Sequence, residues 1–144
     1  MSYYSKILLH MILMIGFLVF SLSGILTARY LKKRTSNWLK IHKLLMISGL
    51  SSGLLGIAWI VYVIQVDIGI HFTVPHHFLG LITFIVSSTA PLLGFKLMSR
   101  DTSNSVKPVL RKIHRLIGKL SFLLLLFTIF TGLALFGIIS VPFL

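Results

Sequence analysis

Residues 113–138 form the longest apolar stretch of the chain, IHRLIGKLSFLLLLFTIFTGLALFGI, and a histidine stands at its start. A helix needs about 20 apolar residues to cross a membrane. Three further stretches reach that length, at residues 7–28, 41–63 and 76–97, and each has a histidine near its start. The sequence therefore predicts an all-α membrane protein with four transmembrane helices.

The links between these stretches are short and polar, and they contain the Pro, Asn, Ser and Asp residues that are typical of turns. Short links force consecutive helices to run antiparallel. We therefore expect an up-down-up-down four-helix bundle that forms a single domain over residues 1–144.

The composition agrees with this class and excludes several kinds of chemistry. The chain is 56% hydrophobic and 11% charged, whereas a soluble domain averages roughly 25% charged residues. It has no cysteine, which excludes thiolate-bound iron–sulfur clusters, covalent c-type haem and disulfides. With two carboxylates in all, Asp67 and Asp101, hydrolytic nucleophiles lack acid–base partners.

The basic residues indicate the orientation in the membrane. Of the 14 lysines and arginines, only Lys6 lies away from the first and third links. The positive-inside rule then places these links in the cytoplasm and both termini outside, with the plasma membrane as the expected location. This explains the net charge of +12 without nucleic acid. The first stretch is too long for a cleaved signal peptide, and a basic segment follows it, so we expect it to remain as a span.

The histidines fall into two pairs under this topology. His10 and the neighbours His76 and His77 lie near the outer face, whereas His42 and His114 lie near the inner face. In a ring of four helices, the first and third are diagonal, as are the second and fourth. Two imidazoles that face each other at one depth are suitable axial ligands for a haem iron. Two histidines for each site are poor for zinc, which usually has four ligands in structural sites.

Glycines accompany the histidines of the third and fourth helices. His76 is followed by Gly80, and His114 by Gly118, each four residues later. A glycine one turn from a ligand removes the side chain that would collide with a flat macrocycle. This spacing favours His76 as the ligand, with His77 as the alternative.

A second spacing relates the first two helices. Gly24 lies 14 residues after His10, and Gly56 lies 14 residues after His42. Fourteen residues of helix rise about 21 Å. We therefore expect each glycine to lie near the depth of the other site and to make room for the other haem.

Taken together, these segments resemble the four-helix core of the cytochrome b561 family. The segments that carry the resemblance are Leu9-His10-Met11, Trp38-Leu39-Lys40-Ile41-His42-Lys43-Leu44, His76-His77-Phe78-Leu79-Gly80 and Ile113-His114-Arg115-Leu116-Ile117-Gly118. The resemblance covers nearly the whole chain, although the better-known members have one more helix at each end. It implies two b haems, one bound by the first and third helices and one by the second and fourth. It also implies electron transfer from cytoplasmic ascorbate to an outer acceptor such as monodehydroascorbate or a ferric chelate.

Four basic residues complete the predicted inner site. Lys40 and Arg111 are the nearest counterparts of the basic surface that contacts ascorbate in the family. We expect these two residues, together with Arg29 and Arg115, to pair with haem propionates or to attract an anionic donor. The expected partners are membrane lipid and a small-molecule or protein electron donor and acceptor, and a homodimer is left open.

The sequence also leaves two other functions open. The chain could be a haem- or quinone-binding anchor subunit of a larger respiratory complex, since it is small. It could instead be a haem-free transporter whose histidines relay protons, with Pro91 as a candidate kink. An electron carrier is favoured, and if it is an enzyme it is a transmembrane oxidoreductase of the ascorbate or ferric reductase type.

Overall fold

The computed structural model describes residues 3–67, 69, 74–135 and 137. Within these residues the chain forms four α-helices, and a π-helical turn, Thr27–Leu31, continues the first of them. The helices are α1 (Tyr3–Leu26), α2 (Trp38–Asp67), α3 (Pro75–Met98) and α4 (Lys107–Leu135). The predicted fold class is confirmed.

All four helices are long and apolar enough to cross a membrane. Many of their large hydrophobic side chains point outward, and Leu44, Leu92 and Leu116 are each about two-thirds exposed, at 67%, 66% and 64%. An apolar surface of this extent is not stable in water, but it suits a lipid environment. The chain is therefore an integral membrane protein.

The helix bounds differ from the predicted ones mainly where helices extend into polar sequence. Helix α4 begins at Lys107 rather than at residue 113, because a hydropathy pattern does not detect a basic first turn. Pro108 suits such a position, since its missing N–H would have no partner there. The predicted end of this helix, at residue 138, lies outside the described residues. Helix α3 continues through Pro91 as one element.

The helices form a ring of two tightly packed hairpins. Helix α1 packs closely against α2, and α3 against α4, whereas the α1–α4 and α2–α3 contacts are much sparser. Among the described residues, the backbones of α1 and α3 do not come into contact, and neither do those of α2 and α4. These are therefore the diagonal pairs. We call α1 with α2 the first hairpin, and α3 with α4 the second hairpin.

Small residues bring the helices of the first hairpin close together. A Cβ atom added to Gly53 would lie 2.7 Å from Phe17 Cδ1, and one added to Gly49 would lie 3.2 Å from Phe20 Cβ. Ser52 Oγ donates a hydrogen bond of 2.7 Å to Leu13 O across the same interface. Close approach through small residues is typical of helix pairs in membranes.

Polar contacts fix the antiparallel register of the first hairpin. Lys6 Nζ lies 2.8 Å from Asp67 Oδ1, so the start of α1 is paired with the end of α2. Trp59 Nε1 donates to Lys6 O at 2.8 Å. Tryptophan is common near membrane interfaces, and Trp59 lies in the last third of α2. The structure adds that it bonds to the neighbouring helix.

The second hairpin contains a buried pair of hydroxyl groups. Thr83 Oγ1 and Thr128 Oγ1 are 2.7 Å apart, and Thr128 Oγ1 donates to Leu124 O at 2.8 Å. Because the Thr128 hydrogen is already donated, Thr83 is the donor in the contact between the two helices. Both residues are buried, and this bond leaves both hydroxyl groups satisfied.

Candidate functional site

His42 of α2 and His114 of α4 face each other across one diagonal of the bundle. Their ring centroids are 6.4 Å apart, and the ring planes make an angle of 82°. A metal–imidazole bond is about 2.0–2.1 Å in zinc sites, and the ring centroid lies about 1.2 Å beyond the bonded nitrogen, so two opposed imidazoles on one metal have centroids about 6.4 Å apart. The spacing of this pair thus fits a shared metal atom. We call it the basic-end site, because it lies at the C-terminal ends of α1 and α3, where the basic residues cluster.

Hydrogen bonds fix the tautomer of both rings. His42 Nδ1 lies 2.8 Å from Gly24 O, and His114 Nδ1 lies 2.9 Å from Ala90 O. A carbonyl oxygen can only accept, so each Nδ1 must carry the proton. Each Nε2 then keeps its lone pair. Histidine ligands of metals are usually held in this way.

The opposite end of the bundle has a second pair of histidines, His10 of α1 and His76 of α3. His10 Nδ1 donates to Gly56 O at 2.9 Å, and His76 Nδ1 lies 3.1 Å from Thr131 Oγ1. The His76 ring is close enough to His10 to interact with it electrostatically. We call this pair the opposite-end site.

His77 lies at the same end as this pair. Its ring centroid is 6.3 Å from that of His76, and it also interacts electrostatically with His10. The hydrogen bond from His76 to Thr131 supports the sequence-based preference for His76 as a ligand. The preference for His76 over His77 stays a prediction. The one remaining histidine of the sequence, His71, lies outside the described residues.

One rule of spacing relates all four histidines. Each histidine ring is held by the other helix of its hairpin. The residue that holds it lies 14 positions after the histidine that this other helix carries. Three of these residues accept directly through their carbonyl oxygens: Gly24, Gly56 and Ala90. The fourth is Thr128, whose backbone interacts with His76. Its carbonyl oxygen also accepts a hydrogen bond of 2.9 Å from Thr131 Oγ1, the hydroxyl that accepts from His76 Nδ1.

Sequence reasoning found this spacing only in the first hairpin, where both residues are glycines. It missed Ala90 and Thr128 because a carbonyl acceptor places no demand on the side chain, and it missed Thr131 because a threonine hydroxyl is not characteristic of a cofactor site. The 14-residue spacing, counted from His76 and from His114, is the sequence signal that would have identified Ala90 and Thr128.

The glycines that follow the histidines by 14 residues contact the neighbouring helix closely. A Cβ atom on Gly24 would lie 2.6 Å from Met46 Sδ, and one on Gly56 would lie 2.8 Å from Met14 Cε. Their carbonyls, as described above, hold the rings. Contact between these two glycines and a haem edge stays a prediction.

The glycines four residues after the histidines border open space instead. Among the described residues, no neighbouring heavy atom lies within 4 Å of a Cβ atom built on Gly118, and for Gly80 the nearest is Thr128 Cγ2 at 3.9 Å. Two further glycines, Gly94 and Gly132, lie against the rings: their Cβ atoms would be 3.5 Å from His114 Cε1 and 2.9 Å from His76 Cε1. A larger residue at Gly132 would therefore displace a ring.

A cavity of about 1150 Å³ surrounds the basic-end site, between the two hairpins. His42, His114 and Gly118 are part of its lining, and most of the rest is apolar. Binding pockets for organic cofactors are typically about 300–1,000 Å³. The cavity is therefore large enough for a macrocycle between the two rings.

Basic side chains line the mouth of this cavity, and no acidic residue is among the described residues of its lining. The basic members of the lining are Arg29, Lys32, Lys43, Arg111, Arg115 and Lys119. Of the predicted basic residues, Arg29, Arg111 and Arg115 are thus at the cavity. Lys40 is exposed and is not part of the lining, where Lys43 is found. Such a mouth suits carboxylates of a ligand.

The residues present fit a haem better than a bare metal ion. Within the described residues, no group of three or more His, Cys, Asp or Glu side chains could hold an ion. Two imidazoles leave a metal ion with an incomplete protein shell, but a porphyrin supplies four further nitrogens in its plane. Paired histidines, an apolar cavity and a basic mouth are the features that such a cofactor requires.

The open space at Gly118 gives a first testable prediction. We expect Gly118→Leu to lower the haem content to about half, since the new side chain enters the cavity beside His114. Haem per chain, measured on purified protein, checks this. Leu120→Phe is the control, because Leu120 is 45% exposed and points away from the cavity. Full haem content in Gly118→Leu would contradict a macrocycle at this position.

Comparison with known families supports the same conclusion. A family model described as eukaryotic cytochrome b561 matches residues 9–138, nearly the whole chain. The comparisons with curated proteins and with solved structures gave no match. The four histidines and the cavity all lie within the matched residues. The chain therefore belongs to the cytochrome b561 family, whose members bind haem b and transfer electrons across membranes.

Proposed function

We propose that this chain transfers electrons across the plasma membrane through two b haems, one bound by His42 and His114 and the other by His10 and His76. The observation that carries the proposal is the diagonal His42–His114 pair, with a centroid separation of 6.4 Å and both Nδ1 atoms hydrogen-bonded to carbonyls. When bound, each haem would be held by one of these histidine pairs and would supply a one-electron carrier.

The protein residues provide placement and electrostatics for this function. The carbonyls of Gly24, Ala90 and Gly56 hold three imidazoles with Nε2 available, so little reorganisation is needed on binding. The two hairpins supply the ligands of each site jointly, because every pair joins one helix of the first hairpin to one helix of the second. Most of the residues that line the basic-end cavity are apolar, which favours exclusion of water from that site.

The basic mouth of the cavity sets the proposed direction of transfer. Under the positive-inside rule the basic end is cytoplasmic and both termini are outside. Arg29, Arg111 and Arg115 are placed to pair with haem propionates or to attract a small anionic reductant such as ascorbate. The electron would then leave at the opposite-end site to an extracytoplasmic acceptor. Lys6 is paired with Asp67 there, so it is not an isolated cation for that acceptor.

An optical and functional experiment tests the proposal. Purified full-length protein should contain about two haems per chain, with a Soret band and α bands that sharpen on reduction with dithionite. In sealed vesicles loaded with ascorbate, a ferric chelate added outside should be reduced, whereas vesicles without protein should be inactive. The absence of haem bands would refute the proposal. Haem bands without transfer across the vesicle membrane would instead favour an anchor subunit.

A further inference from the structure

One of the four histidines is held differently from the others. His10, His42 and His114 donate to backbone carbonyls alone, whereas His76 Nδ1 is hydrogen-bonded at 3.1 Å to a side chain, the hydroxyl of Thr131, and interacts with the backbone of Thr128 besides. We propose that Thr131 is a positioning residue that sets the tautomer and ring orientation of His76 and thereby tunes the reduction equilibrium of the opposite-end haem. This inference rests on the function proposed above.

The hydrogen bonds around Thr131 determine its role toward His76. Thr131 Oγ1 donates its own hydrogen to Thr128 O at 2.9 Å. Only the lone pairs of the oxygen remain for His76, so Nδ1 is the donor and Nε2 keeps its lone pair. The polarised hydroxyl thus does for His76 what a carbonyl does for the other three rings.

The neighbouring residue completes the support of the ring. A Cβ atom on Gly132 would lie 2.9 Å from His76 Cε1, so this ring lies directly against the backbone of α4. Thr131 is β-branched, which restricts its χ1 angle and fixes the direction of the hydroxyl. The ring therefore has a defined plane that follows from two successive residues of α4.

This contact differs from the other three in that substitution can remove it. A backbone carbonyl persists in every variant, but Thr131→Val keeps the side-chain shape and lacks the hydroxyl, which leaves only the backbone of Thr128 as a partner of His76. With a weaker hydrogen bond from Nδ1 the imidazole becomes a weaker donor to the iron, so the ferric form loses stabilisation. A hydrogen bond of ordinary strength corresponds to a change of up to about tenfold in an equilibrium. For a one-electron couple, tenfold is about 59 mV.

Three variants of the full chain test this inference. Thr131→Val removes the acceptor, and Thr131→Ser retains a hydroxyl at the same position. Thr89→Val is the matched control, because Thr89 Oγ1 also donates to the carbonyl three residues earlier, Val86 O at 2.7 Å, and is not a hydrogen-bond partner of His10, His42, His76 or His114. Three measurements are made on each variant: a redox titration of the haems, the electron paramagnetic resonance spectrum of the low-spin ferric haems, and the haem content per chain. A further variant, His10→Ala, assigns the signals: the signal that is missing from it belongs to the opposite-end haem.

The outcomes separate this inference from the proposed function. We expect Thr131→Val to favour the ferrous form of the opposite-end haem by up to about tenfold, with a changed low-spin signal, or to lose that haem alone. Thr131→Ser and Thr89→Val should resemble the wild type. An unchanged titration and spectrum in Thr131→Val, or an equal shift in Thr89→Val, would overturn the role of Thr131 only. A wild-type protein without haem would overturn both proposals.

Discussion

Replacing His114 with alanine is expected to remove about half of the bound haem and to leave the remaining half spectroscopically unchanged. The rings of His114 and His42 are 6.4 Å apart between centroids, and no other histidine among the described residues lines their cavity. The opposite-end site has its own histidine pair and its own hydrogen-bond acceptors on other parts of the helices. Haem quantitation per chain, together with the reduced-minus-oxidised spectrum, checks this prediction.

Two further alanine variants extend this test. His42→Ala should give the same spectrum as His114→Ala, because both remove one ligand of the basic-end site. His77→Ala should retain both haems if His76 is the ligand. Full haem content in His114→Ala would reject the assignment of this residue. Loss of both haems in that variant would contradict two independently loaded sites.

The sequence predicts much of this fold because the relevant patterns are local. Four apolar stretches give four spans, and short links between them leave few ring arrangements other than the one observed. The start of α4 at Lys107 was missed because that turn is helical without being apolar. The tighter packing within each hairpin was also not predicted, since it depends on which small residues meet, such as Gly53 against Phe17.

The site was predicted less completely, for reasons of geometry. A helix turns about 100° for each residue, so Lys40, two positions before His42, points away from the side of the helix that carries that ring. Arg111, three positions before His114, lies on the same side as the ring and lines the cavity. The acceptors Ala90 and Thr131 were missed because neither residue type is characteristic of a cofactor site.

The histidine contacts also show how the two hairpins depend on a cofactor. Each Nδ1 bond stays within a hairpin, so each hairpin orients its own two rings. The contacts between hairpins are sparse, and the cavity at the basic end separates them. A haem that is bound by one ring from each hairpin would therefore be a main link between them. A ligand present at about 1,000 times its Kd stabilises the binding-competent state by about 4 kcal/mol.

We therefore expect that a protein without either haem keeps its helices but loses the fixed arrangement of the hairpins. The double variant His10→Ala/His114→Ala removes one ligand from each site. Since the chain has no cysteine, introduced thiols can be spin-labelled selectively. Labels at Ser36→Cys and Ser103→Cys, in the first and third links, report the separation of the hairpins. Labels at Ile12→Cys and Leu55→Cys, both on the lipid-facing surface, report the first hairpin alone.

Loss of both haems should broaden the distance distribution between the hairpins, while the distribution within the first hairpin stays narrow and the helical circular dichroism is retained. The reason is that protein contacts alone hold the first hairpin together. These are the Lys6–Asp67 ion pair, the hydrogen bond from Ser52 to Leu13 O and the close glycine contacts. Equal, narrow distributions in haem-free and haem-loaded protein would mean that protein contacts alone set the bundle, and the haems would then be ligands of a preformed cavity rather than links between its halves.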